Sequence, residues 1–200
     1  NPYAVSTYRD GPGGLTQRGF EIAGRTAFTF LPGPLQYLGG GFNYSYTESN
    51  EQTSEVDLFT GIGLPPRSQS KYYYNLNLWY DDGKLNARVA YQRRDIFYDR
   101  TDPDGENRIP ASAGLDGNTQ SNYFKLVSPV YKTGTENLDA RASYSITPKL
   151  QLFVEGKNLL NTSIGKYTPD EFRIVGEGIP YMYDSVFVGR TFYFGVIATL

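Results

Sequence analysis

Residues 189–200 read Gly-Arg-Thr-Phe-Tyr-Phe-Gly-Val-Ile-Ala-Thr-Leu, and this closing stretch decides the fold class. Successive side chains of an extended strand point to opposite faces, so Phe192, Phe194 and Val196 share one face while Tyr193 and Ile197 share the other. The pattern predicts a strand that continues to the last residue. Chain ends usually fray unless structure holds them, so we expect this end to be held, for example at the seam of a closed barrel.

The same period of two recurs upstream and predicts an all-β chain. Residues 1–15 are rich in Gly, Pro and polar groups and predict a loop. Alternation of apolar and polar residues then predicts six strands before the terminal one. Their predicted ranges are 16–30, 40–47, 71–80, 85–94, 137–146 and 150–157. The fold class is therefore an antiparallel up-and-down meander of about seven strands.

The connections between these strands alternate in length. The short ones are residues 31–39, 81–84 and 147–149, and the long ones are 48–70, 95–136 and 158–184. In a meander, this order places all short turns at one end and all long loops at the other. Such sorting is typical of outer-membrane barrels, and seven strands cannot close a bacterial barrel, which uses an even number. We therefore expect residues 16–200 to form the C-terminal part of a larger transmembrane β-barrel.

Charged residues avoid the apolar parity of the strands. The charged strand residues of the opposite parity are Glu21, Arg25, Arg88, Asp139, Arg141, Glu155 and Lys157. Two exceptions, Arg93 and Arg190, lie at long-loop ends, where a long side chain can reach the headgroups. A basic residue facing lipid at mid-membrane costs roughly 2–4 kcal/mol, so a bilayer would enforce this sorting.

Composition excludes several kinds of chemistry. The chain has no Cys and no His, which rules out disulfides and a Ser-His-Asp triad, and its formal charge of -2 gives no basic field for nucleic acid. A calcium-loop alignment on Gly105 fails, because Arg100 and Ala111 occupy positions that need carboxylates. We expect no enzyme, no cofactor and no metal site.

Several short motifs resemble one family. They are 19–21 (GFE), 31–35 (LPGPL) with 38–39 (LG), 43–46 (NYSY), 87–91 (ARVAY), 155–161 (EGKNLLN) and the closing Gly189-Arg190 with Gly195-Val196. In this order they resemble the C-terminal half of the barrel of TonB-dependent outer-membrane receptors, most closely a proteobacterial group that often serves carbohydrate uptake. One departure is Leu200, where the family usually has Phe.

The resemblance implies a place and a role. It implies the cell outer membrane of a Gram-negative bacterium, contact with outer-membrane lipid, and active uptake of a bulky nutrient such as an oligosaccharide or an iron-siderophore. In that family a 22-stranded barrel encloses an N-terminal plug, through which a TonB-type energy-transducing protein acts. The plug and the earlier strands are absent from this sequence, so the segment would supply barrel wall and ligand-contacting loops.

The candidate ligand-binding residues lie in the two longest connections and beside them. Charged and aromatic side chains there can contact a polar ligand or stack on sugar rings. The candidates are Arg94, Asp95, Asp99, Asp102, Asp104, Tyr123, Tyr131, Tyr167 and Tyr181. The alternative is that these charges belong to a solvated loop and that the tyrosines pack loops against one another.

Two other functions fit the same pattern. One is a passive outer-membrane porin, and the other is a secreted, soluble all-β carbohydrate-binding protein. A soluble protein would bury the Tyr-rich face, whereas a barrel would expose it to lipid.

Overall fold

A computed structural model describes residues 16–49, 56–57, 60–102, 128–169 and 180–199. These residues form two antiparallel β-sheets, one of seven strands and one of four. The all-β prediction is confirmed. Among the described residues there is no helix long and apolar enough to cross a membrane.

The seven-stranded sheet, which we call the wall sheet, is a meander with the predicted strand order. Its strands are β1 (Gln17–Ala27), β2 (Leu38–Ser49), β3 (Tyr72–Asp81), β4 (Leu85–Arg94), β7 (Thr135–Thr147), β8 (Leu150–Lys157) and β11 (Thr191–Ala198). The first strand was predicted to reach residue 30 but ends at Ala27. After a turn, a 3₁₀ helix, Gly33–Tyr37, fills most of the connection to β2, because Pro32 and Pro34 cannot donate to a strand ladder.

The register keeps the two parities apart across the whole wall sheet. Opposite residues in an antiparallel pair lie on the same face. One row runs Gly24, Phe42, Leu76, Tyr91, Leu138, and a second runs Tyr80, Ala87, Ala142, Val154, Phe194. All these residues belong to the apolar parity, so the sheet has one continuous apolar face and one polar face. A register slip of one residue in any strand would have reversed its faces.

The long connections contain four strands that the sequence pattern did not predict. The four-stranded sheet, which we call the outer sheet, is formed by β5 (Phe97–Asp102), β6 (Ser128–Lys132), β9 (Ser163–Thr168) and β10 (Tyr181–Phe187). The expectation that 95–136 and 158–184 are loops throughout is therefore wrong. Each new strand adjoins a wall strand in sequence, and the lateral order β5-β6-β9-β10 repeats the order β4-β7-β8-β11. The outer sheet thus continues four wall strands beyond a break.

Residues 158–162 make this break between β8 and β9. Asn158 and Asn161 adopt left-handed backbone conformations, with φ of 52° and 58°. Asn is one of the few non-Gly residues that tolerates this region. The Asn158 side chain donates to the Gly189 carbonyl at 2.9 Å and accepts from the Thr162 N–H at 2.9 Å. One amide therefore ties the corner after β8 to the corner before β11.

The buried large side chains of the described residues lie in the outer sheet and in the connection that covers it. Tyr98, Leu64 and Val130 are each no more than 2% exposed, and Leu64 comes from the long connection between β2 and β3. The Ser68 N–H donates to the Tyr98 carbonyl at 2.7 Å, which fastens this connection to β5. Many large apolar side chains on the wall sheet are, by contrast, exposed, and none in its described strands is fully buried.

Asp82 organises the tight turn between β3 and β4. Its Oδ1 accepts from the N–H groups of Lys84 at 2.9 Å and Leu85 at 2.7 Å, while Oδ2 accepts from the Tyr80 hydroxyl at 2.9 Å. Gly83 has a φ of 84°, which explains the glycine at this position. These donors, led by the two backbone N–H groups, lower the pKa of the Asp82 carboxyl below 3.8.

We predict that the Asp82 turn weakens in acid. A carboxyl with a lowered pKa in the folded state stabilises the fold above its unfolded pKa of 3.8, and this contribution is lost as the pH falls through the folded value. The carboxyl carbon of Asp82, followed by NMR against pH, should titrate below 3.8. Asp82→Asn is the control, since it should abolish that titration. A midpoint at or above 3.8 would contradict the turn geometry.

Candidate functional site

The predicted ligand-binding residues fall on the outer sheet and on the corner that leads into it. Arg94 ends β4, Asp95 follows it, and Asp99 lies in β5. Tyr131 lies in β6 and Tyr167 in β9. Asp102 and Tyr181 are placed by their backbones at the end of β5 and the start of β10. Asp104 and Tyr123 lie outside the described residues.

Two of the predicted tyrosines belong to a cross-strand ladder. The register sets Tyr98, Tyr131 and Tyr167 opposite one another on β5, β6 and β9. Ring centroids are 5.6 Å apart between Tyr98 and Tyr131, and 6.2 Å apart between Tyr131 and Tyr167. These are the separations of favourable aromatic pairs. Tyr98 is buried under Leu64, while Tyr131 and Tyr167 keep part of their surface open.

The opposite face of the outer sheet is charged. Lys132 and Lys166 face each other across β6 and β9. Asp99 pairs with Lys132 at 2.9 Å, and Asp184 pairs with Lys166 at 3.9 Å. The Asp99 side chain is only 14% exposed and also lies 3.9 Å from the Arg100 guanidinium. Asp99 is thus already neutralised by two cations, which favours a structural role for it.

Arg94 acts as a clasp between the wall sheet and the connection that covers the tyrosine ladder. Its Nε donates to the Ser70 hydroxyl at 2.7 Å and its Nη2 donates to the Ser68 carbonyl at 2.7 Å. Its guanidinium also stacks on Phe97, with Cζ 3.9 Å from the ring centroid. The Asp95 carbonyl accepts from the same Ser70 hydroxyl at 2.9 Å. These contacts order residues 68–70 over the corner.

The sequence-based prediction did not include four residues that contribute to the ladder and the ion pairs of the outer sheet. Tyr98 supplies the buried end of the ladder, and Lys132, Lys166 and Asp184 supply the ion pairs of the other face. The available signal was the short alternation in 97–101 and 163–168, which a long-loop assignment conceals. Chemically, the partly exposed rings of Tyr131 and Tyr167 offer stacking surface, which suits a sugar or another ring-bearing ligand.

Comparison with known proteins adds no relative: no family model, no curated protein and no solved structure matches the chain.

We predict that Arg94→Gln releases the connection that it clasps. The variant loses two hydrogen bonds from a charged donor, each worth about 1.5–3 kcal/mol. Trypsin should then cut after the exposed Arg67 at least about five times faster, since roughly 1 kcal/mol of local stability is a factor of five. Cleavage would be followed by mass spectrometry.

Arg93→Gln is the matched control for this experiment. Arg93 is the neighbouring residue on the other face of β4, where it lies 4.0 Å from Glu136. It makes none of the clasp contacts, so cleavage after Arg67 should stay at the wild-type rate. Equal acceleration in both variants would show that Arg94 is not the clasp.

Proposed function

We propose that the wall sheet is part of the wall of a transmembrane β-barrel in the outer membrane of a Gram-negative bacterium. The single observation that carries this proposal is the continuous exposed apolar face that the register builds across seven strands. Soluble monomers rarely expose an apolar patch larger than roughly 300–600 Å², and such patches mark contact with proteins or membranes.

The exposure is large and follows one parity, except for Tyr193 and Ile197 of β11 on the other face. Phe194 is 85% exposed, Val196 is 61% exposed and Phe192 is 59% exposed, all on β11. Side chains of the same face that are exposed by 40% or more on the other strands are Phe20, Ile22, Phe42, Leu76, Leu78, Val89, Tyr144, Ile146, Leu152 and Val154. Lipid tails would cover the middle of this face without burying a charged side chain.

Charges on the apolar face sit only where a bilayer would end. Within the described wall strands, the charged residues of this face are Arg18, Glu48, Arg93 and Glu136. All four lie at the long-loop end, and they oppose one another as Arg18 with Glu48 and Arg93 with Glu136. Opposite charges in register lower the cost of placing them at the membrane edge.

Aromatic rings gather at both edges of the same face. At the long-loop end, Phe20, Tyr46 and Tyr72 form a chain with ring centroids 5.6 and 5.5 Å apart. At the short-turn end, Tyr37 and Tyr80 lie 6.0 Å apart. Such girdles are typical of barrel walls. Ten residues at roughly 3.3 Å each, tilted by about 45°, span about 23 Å, close to the apolar band of outer-membrane barrels.

The edges of the wall sheet require further strands. In the described residues, β1 pairs only with β2, and β11 pairs only with β8. Unpaired backbone groups cannot be left in lipid, so additional strands must pair with both edges and close the barrel. The polar face would then line the interior.

We further propose that this barrel serves TonB-dependent active uptake of a bulky nutrient, an oligosaccharide or an iron-siderophore. The resemblance of the strand motifs supports this role, and the tyrosine ladder supports a ligand contact at the outer end. The TonB-type partner would act through a plug domain. The protein would work as a receptor and transporter, not as an enzyme.

The face assignment predicts opposite environments for two neighbouring residues of β3. Leu76 belongs to the apolar face and is 49% exposed, whereas Asn75 belongs to the polar face. Because the chain has no Cys, a fluorophore can be attached to Leu76→Cys or Asn75→Cys alone. Quenchers carried on lipid tails should quench the label at position 76 strongly and the label at position 75 little, while water-soluble quenchers should show the reverse.

Water-soluble quenching at both positions would remove the barrel proposal. It would favour a soluble sheet, which should also be found in the culture medium instead of the outer-membrane fraction.

The receptor role predicts energy-dependent uptake. Cells that produce the protein should accumulate a labelled oligosaccharide or an iron-siderophore complex, and a protonophore should abolish accumulation. Tyr131→Ala and Tyr167→Ala should each weaken ligand binding about tenfold, or about 1.4 kcal/mol. Tyr144→Ala, at the short-turn end, is the matched control and should bind normally. Uptake that persists without a proton gradient would identify a passive porin instead.

A further inference from the structure

A cavity lies on the polar face of the wall sheet, away from the outer sheet. It has a volume of about 430 Å³ and opens near the short-turn ends of β3 and β4. Its lining side chains are Arg25, Asn77, Trp79, Asp81, Asn86 and Arg88, with Gly41 also lining it. Small-molecule sites have volumes of roughly 300–1,000 Å³, so the cavity has the size of a ligand site.

Two glycines of β2 make room for this cavity. A Cβ on Gly39 would lie 2.2 Å from Cε2 and Cζ2 of Trp79, so the indole lies directly against the β2 backbone. Gly41 leaves the neighbouring space open. The indole is therefore held flat and forms one side of the cavity.

The two arginines are positioned around the indole. The Arg25 guanidinium stacks on Trp79, with Cζ 4.7 Å from the ring centroid. Arg88 is opposite Trp79 in the β3–β4 register and donates from Nη2 to the Asn77 Oδ1 at 3.0 Å. A stacked guanidinium keeps its N–H groups in the plane of the fork, where they can reach an anion.

The charge of the cavity is positive and only partly balanced. In the described part of the chain, neither Arg25 nor Arg88 forms an ion pair with a carboxylate. The Asp81 carboxylate accepts from the Gly83 N–H at 3.0 Å and from the Asn86 side-chain amide at 3.0 Å, so the turn already engages it.

A third arginine adds to the positive potential. Arg141 stands directly opposite Arg88 in the β4–β7 register, and Glu155 lies 3.4 Å from it. Two arginines in register repel each other unless an anion lies nearby. Glu155 balances the charge of Arg141, and a bound anion would balance the charge of Arg88.

We propose that this cavity binds a small organic anion through a carboxylate or phosphate group held between Arg25 and Arg88. Guanidinium groups match both oxyanions geometrically and form charge-assisted hydrogen bonds with them. The Asn77 amide nitrogen can donate to the same group, because its oxygen is already used by Arg88. This proposal stands on the polar face alone and does not require that the apolar face contacts lipid.

The chain carries its own probe for the test. Trp79 is the only tryptophan of the 200 residues, and Arg25 stacks on it, so an anion that draws on Arg25 should change the indole fluorescence. The purified 200-residue chain would be titrated with inorganic phosphate and, separately, with tricarballylate, with sodium chloride keeping the ionic strength constant. We expect a saturable change with at least one of the two.

Three variants and one control locate the site. Arg25→Gln and Arg88→Gln should each raise the dissociation constant at least tenfold. Asn77→Asp should do so too, because it adds a negative charge without removing an arginine. Lys157→Gln is the control. Lys157 lies in β8, on the polar face of the wall sheet but outside the cavity, so this variant should bind as the wild type does. Circular dichroism would confirm that each variant is folded.

The outcomes separate clearly. Saturation with phosphate alone or with tricarballylate alone supports the site and identifies the class of oxyanion. A linear response, or a saturable response that survives Arg88→Gln and Asn77→Asp, overturns the proposal. Both results are independent of the quenching and uptake experiments, so the site can fail while the barrel proposal holds, or the reverse.

Discussion

The antiparallel register of the wall sheet is the constraint on which the rest of the structure depends. Each ladder joins residues of equal parity, so the apolar side chains of seven strands form one face and the polar side chains form the other. The short turns enforce this register at one end. The Asp82 turn does so with three hydrogen bonds to one carboxylate, and the adjacent Lys84 carbonyl accepts from Ser145 on β7.

The two ends of the wall sheet differ because only one of them is extended by a second sheet. At the long-loop end, four wall strands continue into the outer sheet after a break. Side-chain hydrogen bonds to backbone groups stabilise this break: Asn158 bonds Gly189 and Thr162, and the Arg94 clasp bonds Ser68 of the covering connection. The buried residues of the described chain are concentrated there because the connection around Leu64 covers the tyrosine ladder. In the described residues nothing covers the apolar face of the wall sheet, so the proposed function has to account for what contacts it.

The two faces of the wall sheet serve different chemistry. The apolar face keeps its charges at one edge, where oppositely charged residues face one another. The polar face carries arginines at mid-strand, and each is held by an aromatic ring or a polar partner: Arg25 by Trp79, Arg88 by Asn77, and Arg141 by Phe153 and Glu155. Stacking leaves the edges of a guanidinium available for hydrogen bonds, so a structural contact and a ligand contact are compatible in one side chain.

The sequence by itself determined the all-β class, the order of the seven wall strands and the parity of their faces. Periodicity of two is a local property of an extended chain, and the Asp-Gly pair predicts a tight turn such as 81–84. The barrel and the uptake role stay proposals that rest on exposure and on motif resemblance.

Only the tertiary structure decided the outer sheet, the tyrosine ladder and the arginine cavity. Strands β5, β6, β9 and β10 are five to seven residues long and lie in Gly- and Asp-rich connections, where local pattern is too short to separate strand from loop. Tyr131 and Tyr167 were singled out by residue type, but their meeting depends on pairing across a separation of 36 residues, which no local signal encodes. Arg25, Trp79 and Arg88 come together for the same reason. Three separate strands must reach their register before these side chains share one cavity.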